Sequence, residues 1–152
     1  MVTIRKAKRE DCPAMMDLIK ELAVYEKAPD AVTVTMEEFA DSGFGSHPVW
    51  GAFVAERDQQ LIGLSLYYIR YSTWKGQRLY LEDLIVTEKE RGTGVGKQLL
   101  DRTIDFARTE GYNGMMWQVL AWNEPAIRFY EKYQAAFDDE WVNVSLSFQI
   151  NE

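Results

Sequence analysis

A mixed α/β domain is what the sequence predicts, and three observations carry that prediction. Apolar residues alternate with period two in "VWGAFVAER", "LIGLSLYYIRY" and "RLYLEDLIV", the signature of half-buried strands. They recur at three- and four-residue spacing in the segments that open on "DCPAMMDLIKELA" and "VGKQLLDRTIDFAR", the signature of helices with one buried stripe. Polar or glycine-bearing turns separate these segments, without repeats or low-complexity tracts. At 152 residues and 47% hydrophobic content, the chain suits one domain spanning 1–152 around one core.

The elements follow in order. "TIRKA" reads as a first strand. Asp11 stands where a helix N-cap belongs, Pro13 falls in the tolerated first turn, and Met15, Leu18, Ile19, Leu22 and Ala23 form the stripe. Thr35 with Glu38 three residues on has the capping-box spacing and starts a second helix. Two strands joined by "DQQ" make a hairpin, and "RLYLEDLIV" follows after "STWKGQ". A helix from Val95 to Arg108 buries Val95, Leu99, Leu100, Thr103, Ile104 and Ala107, with Gly111 as its stop. "MMWQVL" reads as a buried strand, Asn123 caps a helix through "EPAIRFYEKY", and "WVNVSLSF" alternates as a closing strand.

Charge and composition remove whole classes of function. A net charge of −7 and a pI near 4.8 argue against nucleic acid and anionic membrane surfaces, which attract basic patches, and leave a cationic partner welcome. Cys12 and His47 are each the sole residue of their type, which excludes an internal disulfide, a cysteine cluster or a histidine triad within one chain. Cys12 is expected as a buried thiol, and no metal is expected. The N-terminus lacks the apolar core of a signal peptide and no apolar run is long enough to span a bilayer, so the expected location is the cytoplasm.

The stretch "RGTGVGKQLL" carries the chemistry. Gly92, Gly94 and Gly96 alternate directly behind Arg91 and ahead of a helix, whose first N–H groups and positive dipole end favour phosphate oxygens. Glycines let the backbone approach and take unusual φ angles, and Arg91 adds a full charge. The nucleotide P-loop pattern fails, because Arg91 stands where its first glycine belongs and Gln98 follows Lys97 in place of a hydroxyl. The dinucleotide pattern GxGxxG also fails, ending on Lys97 or on Leu99.

What remains is R-x-x-G-x-G, met as Arg91, Gly94 and Gly96 between strand and helix. It resembles the pyrophosphate-binding signature of the GCN5-related N-acetyltransferases (GNAT), which bind acetyl-coenzyme A. "LIKELAVYE" (18–26), "DSGFGSHP" (41–48), "YYIRYSTWKGQRLYLEDLIV" (67–86), "RGTGVG" (91–96) and "WNEPAIRFYEK" (122–132) further resemble the spermidine/spermine N1-acetyltransferase, or diamine acetyltransferase, branch. The likeness covers about residues 3 to 148 and implies the GNAT fold: a mixed, mostly antiparallel sheet of six to seven strands flanked by about four helices.

It also implies the reaction, direct transfer of acetyl from acetyl-coenzyme A to a primary amine of a small polyamine or diamine in a ternary complex. Thialysine, another amino acid or an aminoglycoside-like amine would keep the chemistry and change the acceptor. A non-catalytic acyl-coenzyme A sensor is the alternative of another class. The resemblance further implies a homodimer.

An alkylammonium has a pKa near 10.4 and must lose a proton before attack, which calls for a carboxylate. Glu82 lies in the apolar strand "LYLEDLIV", where burial should raise its pKa, and Asp83 alternates to the opposite face. The resemblance assigns Glu82 to the base or substrate-amine position and Tyr130 to protonation of the coenzyme A thiolate. It assigns the cofactor to the backbone of Leu84, Ile85 and Val86, to Arg91, Gly92, Thr93, Gly94, Val95, Gly96 and Lys97, and to Asn123, Ala126 and Tyr130. The substrate side falls to Tyr25, Glu26, Trp74, Glu82, Asp83, Trp117 and Gln118. One departure stands out: Gln134 occupies the place of a helix-ending glycine, so a left-handed conformation there would cost about 1 kcal/mol.

Overall fold

The computed structural model describes residues 1–148, which separate into two compact units, Met1–Gln118 and a smaller one from Val119 onward. The larger unit holds strands β1 (Thr3–Lys6), β2 (Gly51–Arg57), β3 (Gln60–Ser72), β4 (Gly76–Val86) and β5 (Met115–Met116), with helices α1 (Cys12–Tyr25), α2 (Met36–Phe44) and α3 (Val95–Thr109). The sheet runs in the order β1-β2-β3-β4-β5, antiparallel throughout except for the parallel β4–β5 pair.

Alternation along the strands feeds two cores. On β2, Val54 packs with Leu64, Leu66, Ile85, Met15, Met16, Leu18 and Phe39, so this face of the sheet meets α1 and α2. Its neighbour Phe53 packs with Ala55, Ile62, Val95 and Leu99, so the other face meets α3. Ser65 and Thr103, both fully buried, tie α3 to β3 at 2.6 Å. Because the Thr103 hydroxyl donates to the Leu99 carbonyl at 2.8 Å, the Ser65 hydroxyl donates to Thr103. Gly63 lets this helix approach: a Cβ there would meet Leu99 at 2.8 Å and Val95 at 3.3 Å.

Local chemistry explains the turns. Asp58 and Gln59 take φ of 50° and 64° between Arg57 and its partner Gln60, the paired left-handed geometry of a tight hairpin. Thr35 accepts from the Glu38 N–H at 3.1 Å and Gly111 ends α3 with φ of 84°, both as the sequence predicts. Asp11 occupies the N-cap position of α1 without capping it. Its carboxylate is claimed by Arg5 at 2.8 and 3.0 Å and by the Lys8 N–H at 2.7 Å, an ion pair outbidding a cap. Cys12 is buried, as expected.

The smaller unit contains α4 (Glu124–Glu131), capped where Asn123 accepts from the Ala126 N–H at 3.4 Å. Gln134 does take the left-handed conformation, with φ of 57°.

Two strand predictions need correction, and the described residues hold five strands rather than six to seven. "MMWQVL" contributes only Met115–Met116 to the sheet, because β4 bends at a bulge immediately after its last contact with β5. "WVNVSLSF" is not a strand: alternation says which side chains share a face but supplies no neighbouring edge, and Trp141, Val142, Val144, Leu146 and Phe148 are exposed.

Candidate functional site

The glycine loop has the shape of an anion cradle. Gly92 and Gly94 have φ of 79° and 89°, and a Cβ built on either would point into open space. Gly94 is the N-cap of α3, and the first helical bond runs from the Gln98 N–H to the Gly94 carbonyl at 3.0 Å. The amides of Val95, Gly96 and Lys97 therefore precede the first intrahelical bond and face the dipole's positive end. Thr93 braces the loop by donating to the Glu90 carbonyl at 2.6 Å, and the Lys97 ammonium pairs with Asp101 at 2.6 Å along the helix. Backbone rather than the lysine makes the cradle.

Arg91 sits beside it under tight control. Its Nε donates to the Val86 carbonyl at 3.1 Å, its Nη2 lies 3.6 Å from Glu21, and its guanidinium carbon stands 4.8 Å from the centre of the Tyr25 ring. These contacts join the loop to the end of α1. A cation, a helix N-terminus and open, positive-φ glycines fit the pyrophosphate of coenzyme A.

On β4, the register decides what the carboxylates can do. Asp83 pairs with Leu66 and Leu81 with Tyr67, so Glu82 is an extra residue, a β-bulge. Leu66 belongs to the core under α1, hence Asp83 faces α1. There burial and then the charges of Glu82 and Glu26 push its pKa up to about 7. Burial also raises Glu26. Glu82 itself is exposed, which corrects the expectation that it is buried: the bulge turns it outward, and the shielded carboxyl is Asp83.

The strand beyond the bulge offers backbone donors. The β4–β5 ladder covers Leu79–Met115 and Tyr80–Met116 and goes no further among the described residues. Thr87 donates toward β3, to the Ile62 carbonyl at 2.9 Å, so alternation points the Leu84 and Val86 amides away from β3 and the Ile85 amide toward it. The Ile85 side chain fills the core.

Glu82 and Glu26 lie close enough for their charges to act on Asp83, and Tyr25 is set against Arg91. Trp117 is half-buried and Gln118 exposed, immediately after β5. Trp74 is apart: it is 86% exposed on the β3–β4 turn, five residue pairs beyond Tyr67–Leu81, or about 17 Å of strand. Asn123, Ala126 and Tyr130 lie in the smaller unit, where Tyr130 is 8% exposed. Among the described residues no group of three or more histidine, cysteine or acidic side chains is placed to hold a metal ion.

Sequence reasoning missed three residues here. Tyr68 and Tyr80 stack across the ladder at 5.0 Å; burial and then Glu82 raise the pKa of Tyr68, and burial, Tyr68 and then Glu82 raise that of Tyr80. Glu21 accepts from the Thr87 hydroxyl at 2.8 Å and the Glu88 N–H at 3.0 Å. The hairpin register that pairs Tyr68 with Tyr80 is set by the β3–β4 turn and has no local sequence signal, whereas Glu21 and Tyr25 at i, i+4 share a helical face that could have been noticed.

This sheet, the short β4–β5 ladder and the glycine loop at the start of α3 are those of an acyltransferase of the GNAT class. The family model described as Acetyltransferase (GNAT) family matches residues 12–135, and the chain belongs to that family. It is 38% identical over 138 residues to a thialysine N-epsilon-acetyltransferase of Bos taurus, covering 86% of this chain and 81% of that one. It is also 39% identical over 134 residues to the spermidine/spermine N(1)-acetyltransferase-like protein 1 of Homo sapiens, covering 84% of this chain and 19% of that longer one. Among solved structures, an aminoglycoside acetyltransferase from an uncultured soil sample, in complex with sisomicin, shares the fold at a TM-score of 0.79 and 17% identity, covering 97% of both chains. The chain is an N-acetyltransferase, and enzymes of this family use acetyl-coenzyme A.

Proposed function

We propose that the acceptor is a primary amine of a small polyamine or diamine, and that acetyl passes to it directly in a ternary complex. The observation that carries this reading is the acidic group around Asp83: burial, and then the charges of Glu82 and Glu26, raise its pKa to about 7. Three carboxyls in one place suit an acceptor with more than one positive charge. The family resemblance assigns Tyr25, Trp117 and Gln118 to the substrate side, and Trp74 would serve only an acceptor or partner that reaches the hairpin tip.

Acetyl-coenzyme A supplies an activated thioester when bound, and the chain's own residues do the rest. Arg91 and the 92–97 backbone hold phosphate; the Leu84 and Val86 amides face the edge where thioester and pantetheine oxygens could be received. Glu82 meets the ammonium in solvent, and the pair it forms with Asp83 takes its proton, since a carboxyl near pH 7 is matched to that task. Tyr130 returns a proton to the thiolate. The family resemblance supports a homodimer.

Thialysine is the second reading, supported by the relatives that carry that name. The sensor alternative gives way to the chain's membership in a family of acetyltransferases. Thiol release from acetyl-coenzyme A, measured with spermidine, spermine, putrescine, thialysine, lysine and an aminoglycoside, separates the acceptors. Preferred turnover of spermidine or spermine, lowered in Glu82→Gln and Tyr130→Phe, supports the polyamine reading; turnover of thialysine alone removes it.

A further inference from the structure

We infer that Glu21 is a positioning residue for the phosphate-binding loop, acting through Arg91 and through the backbone that leads into it. The inference rests on the reading that coenzyme A phosphates sit at that loop. One carboxylate oxygen of Glu21 accepts from the Thr87 hydroxyl at 2.8 Å; the other accepts from the Glu88 N–H at 3.0 Å and lies 3.6 Å from Arg91 Nη2. Glu21 thus holds the chain at the exit of β4 and the cation four residues later.

An acid beside an anion site works against anion affinity by charge alone, so its use there is geometric. Arg91 is a long side chain with rotamer freedom to lose, and it remains 40% exposed. Glu21 and Tyr25, one helical turn apart, bracket its inner side, and Val86 fixes its Nε. Arg91, the residue before Gly92, is therefore held in one arrangement in advance, which reduces the ordering left for the ligand to impose. The same brace connects the phosphate side to the helix that ends in Tyr25 and Glu26.

Calorimetric binding of coenzyme A and of pantetheine, which lacks the nucleotide and pyrophosphate, tests this without an acceptor. In Glu21→Ala the dissociation constant for coenzyme A should rise about tenfold while that for pantetheine stays within about twofold. Glu21→Gln keeps the size and one acceptor oxygen and should recover part of the loss. Glu21→Ala and Arg91→Ala combined should cost less than the sum of the two, because one acts through the other. Equal weakening toward both ligands, or full additivity, would overturn the role and leave Glu21 a structural brace. Wild-type protein that binds coenzyme A no more tightly than pantetheine would overturn the phosphate reading itself, and this inference with it.

Discussion

Asp83 and Leu81 stand two residues apart on β4, yet they lie on opposite faces of the sheet, Asp83 across from Leu66 and Leu81 across from Tyr67. A regular strand would place them on one face. The single extra residue, Glu82, reverses the alternation, turns a carboxyl into the shelter under α1, and ends the ladder to β5. One insertion thus creates both the acidic site and the open backbone edge beside it.

The raised pKa of Asp83 carries a stability consequence. A carboxyl whose folded pKa lies near 7, above its ordinary 3.8, binds its proton more tightly when folded, so stability falls as pH rises between those values. Asp83→Asn should therefore be more stable than the wild type at pH 8, with the gain shrinking toward zero below about pH 4. Thermal melts of both proteins across that range check the sign.

At Gly94 the backbone sits at φ of 89° and a Cβ would meet nothing. Gly94→Ala should cost about 1–2 kcal/mol through conformation alone. It should also place a methyl group where phosphate would approach, and weaken coenzyme A by about tenfold or more. Titration calorimetry reads the second effect independently of the melt.

Gln134 holds a left-handed conformation that glycine adopts freely. Gln134→Gly should stabilise the protein by up to about 1 kcal/mol, a modest upward shift in melting temperature. An unchanged or lower melting temperature would mean that the Gln134 side chain contributes more than its backbone costs.

Much of this was legible in the sequence because it depends on local rules. Helix periods, the Thr35 and Asn123 caps, Gly111 and the anion loop need only a residue and its near neighbours. What failed depends on a second strand. Nothing in "LYLEDLIV" announces a bulge, so Glu82 reads as buried and Asp83 as its opposite. "MMWQVL" and "WVNVSLSF" have strand alternation, but a strand exists only where an edge is offered. Asp11 was lost as a cap to Arg5, a partner six residues away. Glu21 makes its contacts across 66 and 67 positions, beyond any local pattern.

The most direct test of the carboxylate pair is the pH dependence of kcat/KM in wild type and Glu82→Gln, with whichever amine of the panel is turned over. The wild type should gain activity as pH rises through about 7, where Asp83 loses its proton. Removing the Glu82 charge removes one of the influences that raise Asp83, so the acid limb should move to lower pH even as the maximum falls. An acid limb that stays in place in Glu82→Gln, or that persists unchanged in Asp83→Asn, would contradict the assignment of the proton to this pair.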